Sequence, residues 1–276
     1  MSKKRVSSII FNIIHRLQSS YYRGVAAELA FYFMLSLIPL ILILTQVLGV
    51  FQISLKNLQE MLYQYLPNEA AKALTKLLPN RGNGNVSFSI FSAILALWAA
   101  SKAQFSLMRI CNFTFTGKLS VKNFFRERFI AIKTLIVTLF TFLFSFLILM
   151  YGEIIINAVS AYVRGVVGYK FQISYAWFVL RWLLGMGVYF FMVSYIYYVL
   201  PTNRVSFRNI VPGSLVASTG MFIVTFIYSS FSIKFANYDL LYGSFAAIIS
   251  LLVWFWLIGW MIVIGILFNA AWQDTK

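Results

Sequence analysis

Four charged residues lie inside or at the edges of long apolar stretches of the sequence: Glu28, Lys102, Glu153 and Arg181. A charged side chain inside a bilayer is costly, so it usually faces a partner or a water-filled cavity. Glu28 and Lys102 have similar predicted depths, while Glu153 and Arg181 flank a single loop. The sequence therefore predicts two acid–base pairs. Either the pairs line a polar pathway, or they only hold helices together and their basic side chains extend toward the headgroups.

Four further polar residues lie at or near the ends of these stretches: Asn112, Asn157, Arg204 and Asn269. Polar side chains in such positions form hydrogen bonds between membrane helices, or they line a transport route. Both interpretations stay open from the sequence alone. The four residues are therefore secondary candidates for the polar pathway.

Several classes of catalytic and metal site are excluded by counting residues. A single histidine, His15, and a single cysteine, Cys111, exclude the multi-ligand Cys/His pattern of a zinc site and any intramolecular disulfide. No Ser/His/Asp arrangement is available beyond His15, and no phosphate loop of the GxxxxGKS or GxxxxGKT type occurs. The seven acidic residues are too scattered to suggest a two-metal nuclease. We therefore predict no catalytic residues, no metal and no cofactor.

The elements that carry the charged residues are predicted to be membrane-spanning helices. Of the 276 residues, 61% are hydrophobic and 11% are charged, which is typical of a membrane protein. The first stretch exceeds the roughly 20 apolar residues that cross a bilayer as a helix, and it is too long for a secretory signal. We predict an all-α membrane protein with six transmembrane helices in three hairpins, near residues 24–50, 86–110, 130–152, 175–200, 210–232 and 243–272.

Two domains are predicted: a basic surface segment, residues 1–23, and a single transmembrane domain, residues 24–276. Apolar residues recur at helical spacing from Ile9 to Leu17, among several Lys and Arg residues, as in helices that lie on a membrane surface. Residues 51–85, in the first outer loop, have similar spacing and predict an amphipathic helical segment. Small residues one turn apart in the fifth span, Gly213 with Ala217 and Ser214 with Ser218, predict close helix packing.

The distribution of Lys and Arg predicts the orientation of the chain. Segments on the side that holds both termini carry fourteen of these residues, and segments on the opposite side carry seven. Because positively charged loops stay inside, we expect both termini in the cytoplasm and the protein in the plasma membrane. This asymmetry, with attraction to anionic headgroups, explains most of the net charge of +16. The expected partners are therefore anionic membrane lipids and not nucleic acid, and homo-oligomerisation is left open.

Four stretches of the sequence carry a resemblance to known proteins: AAELAFYFMLSLIPLILIL (26–44), LWAASKA to RICN (97–112), YYVLPTNRVSFRNIVPGSLVAS (197–218) and YGSFAAIISLLVWFWLIGWMIVIGILFNAAW (242–272). Together they resemble the YihY / virulence factor BrkB family of bacterial membrane proteins. The resemblance implies a six-helix inner-membrane protein. Family members are often described as transporters, and some carry an old ribonuclease label that the residues of this chain do not support.

The last predicted span differs from the family pattern at one position. Relatives commonly carry an acid after a glycine, in a pattern of the type G-A-E-L-N, where this chain reads Gly265-Ile266-Leu267-Phe268-Asn269. If the acid has a transport role in relatives, that role is missing or moved in this chain.

The leading hypothesis is a bacterial plasma-membrane protein that moves an amphiphilic, anionic envelope molecule, such as a lipid or a lipid-linked precursor. It rests on the resemblance, on intramembrane charges of both signs and on the amphipathic outer segment. The alternative is a non-catalytic structural or interaction protein whose small-residue faces bind partner helices. A membrane-associated enzyme, as the ribonuclease label suggests, is disfavoured, because Glu127 and Asp274 are the only acids clearly in the predicted cytoplasmic segments.

Overall fold

The computed structural model describes residues 3–50, 56, 59–60, 63, 75, 86–117, 125–141, 144, 152, 173–202, 205–234 and 244–275. Over these residues the fold is all-α, as predicted, with seven helices and no strand. The helices are α1 (Lys3–Leu17), α2 (Ser20–Val50), α3 (Val86–Thr116), α4 (125–141), α5 (Ile173–Val199), α6 (Phe207–Lys234) and α7 (Ser244–Asp274). The amphipathic segment predicted for residues 51–85 lies outside the described residues except for five isolated helical positions.

Three of the described helices are long and apolar enough to cross a bilayer. Their apolar windows are Trp182–Val199, Phe207–Tyr228 and Ile248–Asp274, which overlap the predicted fourth, fifth and sixth spans. A shorter apolar stretch, Gly24–Leu37, lies in α2 at the predicted first span. The total of six spans remains a prediction.

Helices α6 and α7 pack side by side along their length and run in opposite directions. The Tyr228 and Ser250 hydroxyls are hydrogen-bonded near one end, and Asn269 binds the backbone of Gly213 near the other. Between them, Gly220 lies against the Met261 side chain. The two helices therefore form an antiparallel pair, as expected for adjacent spans.

Three further helix pairs are antiparallel: α2 with α3, α2 with α7, and α5 with α6. Consequently α2 and α6 begin, and α3, α5 and α7 end, at one end of the bundle, which we call the α1 end. The pairs that set these directions are Tyr22 with Thr114 and Glu28 with Arg109, Phe33 with Phe255 and Ala26 with Gly259, and Trp182 with Phe222 and Tyr198 with Phe207.

Helix α1, predicted from the spacing of its apolar residues, is confirmed as a helix and packs against the rest of the bundle. Arg16 forms an ion pair with Asp274 at 2.7 Å, and the Arg5 guanidinium lies 4.4 Å from the ring centroid of Trp272. Both contacts join α1 to the last turns of α7. The helical segments nearest the two termini therefore lie at the same end of the bundle, and the side of the membrane they face remains a prediction.

The core is shared by α2, α3, α5, α6 and α7. Leu29, Leu107, Tyr197, Ala217 and Ile266 are fully buried together in it. Leu267 is also fully buried. The position at which the family resemblance leads us to expect an acid is therefore part of the apolar core in this chain.

Helix α4 contacts α3 through polar and aromatic side chains. Gln104 Nε2 donates to Thr138 Oγ1 at 3.3 Å, and the Arg128 guanidinium lies 4.7 Å from the ring centroid of Trp98. Glu127, which the sequence placed in a cytoplasmic segment, is only 4% exposed. Glu127 therefore lies on the packed side of α4, whereas Phe125 and Phe129 beside it are 87% and 71% exposed.

Candidate functional site

The charged pair that joins the first two predicted spans is Glu28 with Arg109. An Arg109 Nη2 group donates to Glu28 Oε1 in a salt bridge between α2 and α3. The two side chains are 31% and 38% exposed, so the pair is accessible from outside the packed core. The predicted pairing of Glu28 with Lys102 is wrong, since Arg109 is the partner and Lys102 is exposed.

The choice of partner follows from how α2 and α3 are aligned near the α1 end. The Tyr22 hydroxyl is 2.8 Å from Thr114 Oγ1, and the rings of Tyr21 and Phe113 lie 4.2 Å apart. Because the helices are antiparallel, this alignment brings Glu28 level with Arg109. Lys102 lies seven residues earlier on α3, about 10 Å away along the axis.

Lys102 and Arg109 nevertheless lie on the same face of α3, because seven residues are close to two helical turns. Aromatic residues occupy the turns before and between them, and the Arg109 guanidinium is 6.0 Å from the ring centroid of Phe105. Trp98 at the far end of this row is 61% exposed. We call Trp98, Lys102, Phe105 and Arg109 the α3 cationic face. It is a row of cations and rings on the outside of the core.

The tyrosines beside this face remain neutral. Burial raises the pKa of the Tyr21 hydroxyl to about 12. Burial also raises the pKa of the Tyr22 hydroxyl, although its hydrogen bond with Thr114 acts in the opposite direction. Neither phenol therefore contributes a negative charge at physiological pH, and Glu28 supplies the carboxylate that balances Arg109.

Asn112 and Asn269 form hydrogen bonds within the bundle. Asn112 Oδ1 accepts from the Thr202 backbone N–H at 2.8 Å, and Asn112 Nδ2 donates to Thr202 Oγ1 at 2.9 Å. Asn269 Oδ1 accepts from the Gly213 backbone N–H at 2.6 Å. Gly213 follows Pro212, which lies inside α6 and has no N–H to donate, so the bond to Asn269 lies beside the interruption of the backbone ladder. These contacts match the structural interpretation of both residues.

The remaining sequence candidates stay predictions. Glu153, Asn157 and Arg204 lie outside the described residues. Arg181 belongs to α5, but its side chain also lies outside the described part of the structure. The pairing of Glu153 with Arg181 is therefore an expectation to be tested by substitution.

Arg109 is the functional candidate that the sequence reasoning missed. It was counted among the positive charges that set orientation, because it lies near the predicted end of the second span. The available signal was its spacing of seven residues from Lys102, which places both cations on one helical face. Among the described residues, no group of three His, Cys, Asp or Glu side chains is positioned to hold a metal ion.

Apolar helices of membrane-crossing length, packed around a shared core and carrying a partly exposed charged pair, define a polytopic α-helical membrane protein. The family model described as Virulence factor BrkB matches residues 13–276, so the chain belongs to that family. The family resemblance expected from four sequence stretches is thereby confirmed.

Curated relatives support the same assignment. The chain is 30% identical over 255 residues to the ribonuclease-like protein YfkH of Bacillus subtilis (strain 168), with 91% of this chain and 90% of that protein covered. It is 26% identical to a UPF0761 membrane protein of Janthinobacterium sp. (strain Marseille), covering 98% of this chain and 61% of that protein. It is 23% identical to a UPF0761 membrane protein of Vibrio atlanticus (strain LGP32), covering 100% and 88%. No solved structure matches the chain.

Proposed function

We propose that this protein moves an anionic amphiphile, such as a phospholipid or a lipid-linked envelope precursor, between the leaflets of the bacterial plasma membrane. The observation that carries the proposal is the α3 cationic face, with Lys102 exposed and Arg109 partly exposed on the outside of the core. Cations on a membrane helix are costly unless they meet a counter-charge or water. Arg109 has Glu28 as its counter-charge, and a passing anionic headgroup supplies one to Lys102.

The geometry supports a path along α3. The two cations are spaced by about 10 Å, so a headgroup that leaves one of them can reach the next without crossing a long apolar stretch. Glu28 holds the Arg109 guanidinium by one salt bridge and keeps it oriented. The aromatic rings of the face support the apolar part of the ligand and the cations themselves.

The test is transbilayer lipid movement in vesicles that contain the purified protein. A fluorescent phosphatidylglycerol is placed in both leaflets, and an impermeant reductant destroys the outer population, so continued loss of signal reports movement. We expect movement well above that of empty vesicles. Replacing a cation by Arg109→Gln or Lys102→Gln should slow it about tenfold, the effect of losing one charged hydrogen bond.

The matched control is Arg16→Gln, which also removes an arginine from a partly exposed ion pair with an acid, Asp274, but lies off the α3 cationic face. We expect this variant to move the lipid at the wild-type rate. Wild-type vesicles that are no faster than empty vesicles would reject the proposal. So would wild-type rates from well-folded Lys102→Gln and Arg109→Gln, because neither cation would then contact the lipid.

The alternative is a structural or interaction protein whose small-residue faces bind partner helices. One observation weighs against it. The small residues of α6 that were expected to bind partner helices are buried inside this chain, with Gly213 and Ala217 packed against Gly265 of α7. They are therefore unavailable to another protein in this conformation.

An enzymatic role is also disfavoured. Glu28 and Asp274 are each held by an arginine, and Glu127 is buried. We therefore infer that the ribonuclease-like name of one relative does not describe the activity of this chain. RNA cleavage by the purified wild-type protein that disappears in Asp274→Asn would contradict this inference.

A further inference from the structure

Helix α1 carries an apolar surface that the rest of the described chain does not cover. Val6, Ile10 and Ile14 follow one another at intervals of four residues and are 39%, 51% and 51% exposed. Phe11 lies beside them and is 70% exposed. We call these four residues the free face of α1. Exposed apolar side chains clustered on one helix mark a surface that binds a protein or a membrane.

The free face is one of three sides of α1. At 3.6 residues per turn, Ile9 and Ile13 lie next to it and pack into the core, with Ile9 only 1% exposed. Lys4, Ser8 and His15 form an exposed polar side on its other flank, where the His15 ring stacks on Phe11 with 6.4 Å between centroids. The helix therefore has a bundle side, an apolar side and a polar side. A helix at the edge of a bundle needs these three sides when it lies in a membrane surface.

The contacts of α1 place it across the α1 end and not along the bundle axis. Arg5 and Arg16 are separated by about 16 Å along α1, whereas their partners Trp272 and Asp274 are separated by about 3 Å along α7. Residues two apart point to nearly opposite sides of a helix, so α1 passes over the end of α7 at a steep angle. Arg16 also donates to the Thr114 carbonyl near the end of α3 at 3.3 Å.

We propose that α1 lies in the headgroup–acyl boundary of an anionic membrane leaflet, with its free face inserted among the acyl chains. The spanning helices are perpendicular to that leaflet, so a helix that crosses their ends is parallel to it. Residues 1–23 contain five Lys and Arg residues and no acid, which matches anionic headgroups. The polar side, which adjoins the free face at Phe11 and His15, then meets water. This inference does not depend on lipid transport.

The experiment measures the depth of two opposite positions in the full-length protein. Single cysteines are introduced as Ile10→Cys or Ser8→Cys in a Cys111→Ala background, labelled with a polarity-sensitive fluorophore and reconstituted in phosphatidylglycerol vesicles. We expect the label at position 10 to be quenched by lipids brominated along their acyl chains. We expect iodide in water to quench the label at position 8 at least about threefold more strongly, because an interfacial helix buries only its apolar side.

Two comparisons keep the test decisive. Native Cys111 is fully buried, so it can be retained as a second background if Cys111→Ala folds poorly, with labelled wild type as the blank. In vesicles of phosphatidylcholine alone, position 10 should be less protected than in phosphatidylglycerol. Equal iodide quenching at both positions would overturn the proposal. Protection of position 10 without quenching by brominated lipid would also overturn it, because another protein copy would then cover the free face.

Discussion

The salt bridge between Glu28 and Arg109 is partly exposed and lies between two apolar helices. A pair in such a position is weaker than a fully buried one, because solvent or headgroups screen it. More than a third of the Arg109 side chain, 38%, is nevertheless exposed. The salt bridge therefore orients Arg109 and leaves it accessible to a ligand. The contribution of the salt bridge to stability should be modest.

A double-mutant cycle tests the contact. Glu28→Gln and Arg109→Gln should each destabilise the protein, and the double variant should lose less than their sum by about 1 kcal/mol, because each single change leaves one charge without its partner. The measurement is reversible unfolding of the purified protein in mixed detergent micelles.

Lys102→Gln serves as the control for that cycle. Combined with Glu28→Gln it should be additive within about 0.5 kcal/mol, because the two residues are two turns out of register. Coupling of Glu28 to Lys102, with none to Arg109, would restore the partner expected from the sequence and contradict the structure.

The sequence indicated that Glu28 needs a basic partner, but it did not indicate which cation that partner is. Lys102 and Arg109 share a face of α3, so helical periodicity treats them alike. The difference is an axial offset of two turns, which the packing of Tyr21 and Tyr22 against the end of α3 determines. Such an alignment depends on side-chain shape across two helices. No single-helix pattern contains it.

At the scale of helices, α6 and α7 approach closely enough for their backbones to be in contact. A β-carbon on Gly265 would lie 2.7 Å from the Gly213 carbonyl oxygen and 2.6 Å from the Ala217 β-carbon. A β-carbon on Gly213 would overlap the Gly265 backbone and the Asn269 side chain. Both backbones are therefore in contact where Pro212 interrupts α6, and only glycine fits there.

Three glycine substitutions separate this contact from general helix effects. Gly213→Ala should destabilise the protein by about 2–3 kcal/mol, because the obstructing atoms are backbone and a bonded Asn269. Gly220→Ala should cost less than about 1 kcal/mol, since its neighbour is the flexible end of Met261.

Gly187→Ala, in α5, is the control, because nothing lies within 4 Å of its added carbon. It should be neutral or slightly stabilising, as alanine is the better helix former. All three are compared by unfolding in the same micelles. Equal effects of Gly213→Ala and Gly187→Ala would show that the α6–α7 contact is not tight.

The helices themselves were largely predictable. Long apolar runs indicated α2, α3, α5, α6 and α7, and the paired small residues of α6 indicated its buried face, where Gly213, Ser214, Ala217 and Ser218 all lie. What the sequence did not indicate was the opposing surface, Gly265 with Asn269. Asn269 was recognised as polar, but its role depends on a backbone N–H beside Pro212, which is contributed by another helix.

At the scale of the whole molecule, the shared α1 end limits how topology can be measured. Cys111 is fully buried, so a maleimide reagent should fail to label it from either side of the membrane. The absence of labelling at Cys111 therefore carries no information on orientation. Exposed positions on known sides of the bundle are needed instead. Ser206 lies in the turn at the α1 end, and Lys56 lies in the segment between α2 and α3.

Single cysteines at these positions test the orientation predicted from Lys and Arg. In intact cells, an impermeant maleimide should label Lys56→Cys and should label Ser206→Cys only after the membrane is permeabilised. The Cys111→Ala background removes the native thiol. Labelling of Ser206→Cys in intact cells, together with protection of Lys56→Cys, would place the α1 end outside.

Helix α7 has a consequence for how the protein is made. It contacts α1, α2, α3 and α6, yet it follows all of them in the chain. Each earlier helix can enter the bilayer as it is synthesised, but the surface it shares with α7 has no occupant until translation reaches residues 244–274. The surfaces of the earlier helices that α7 covers therefore stay open until α7 has been synthesised. During that interval the Gly213 N–H, next to Pro212 in α6, lacks its Asn269 acceptor.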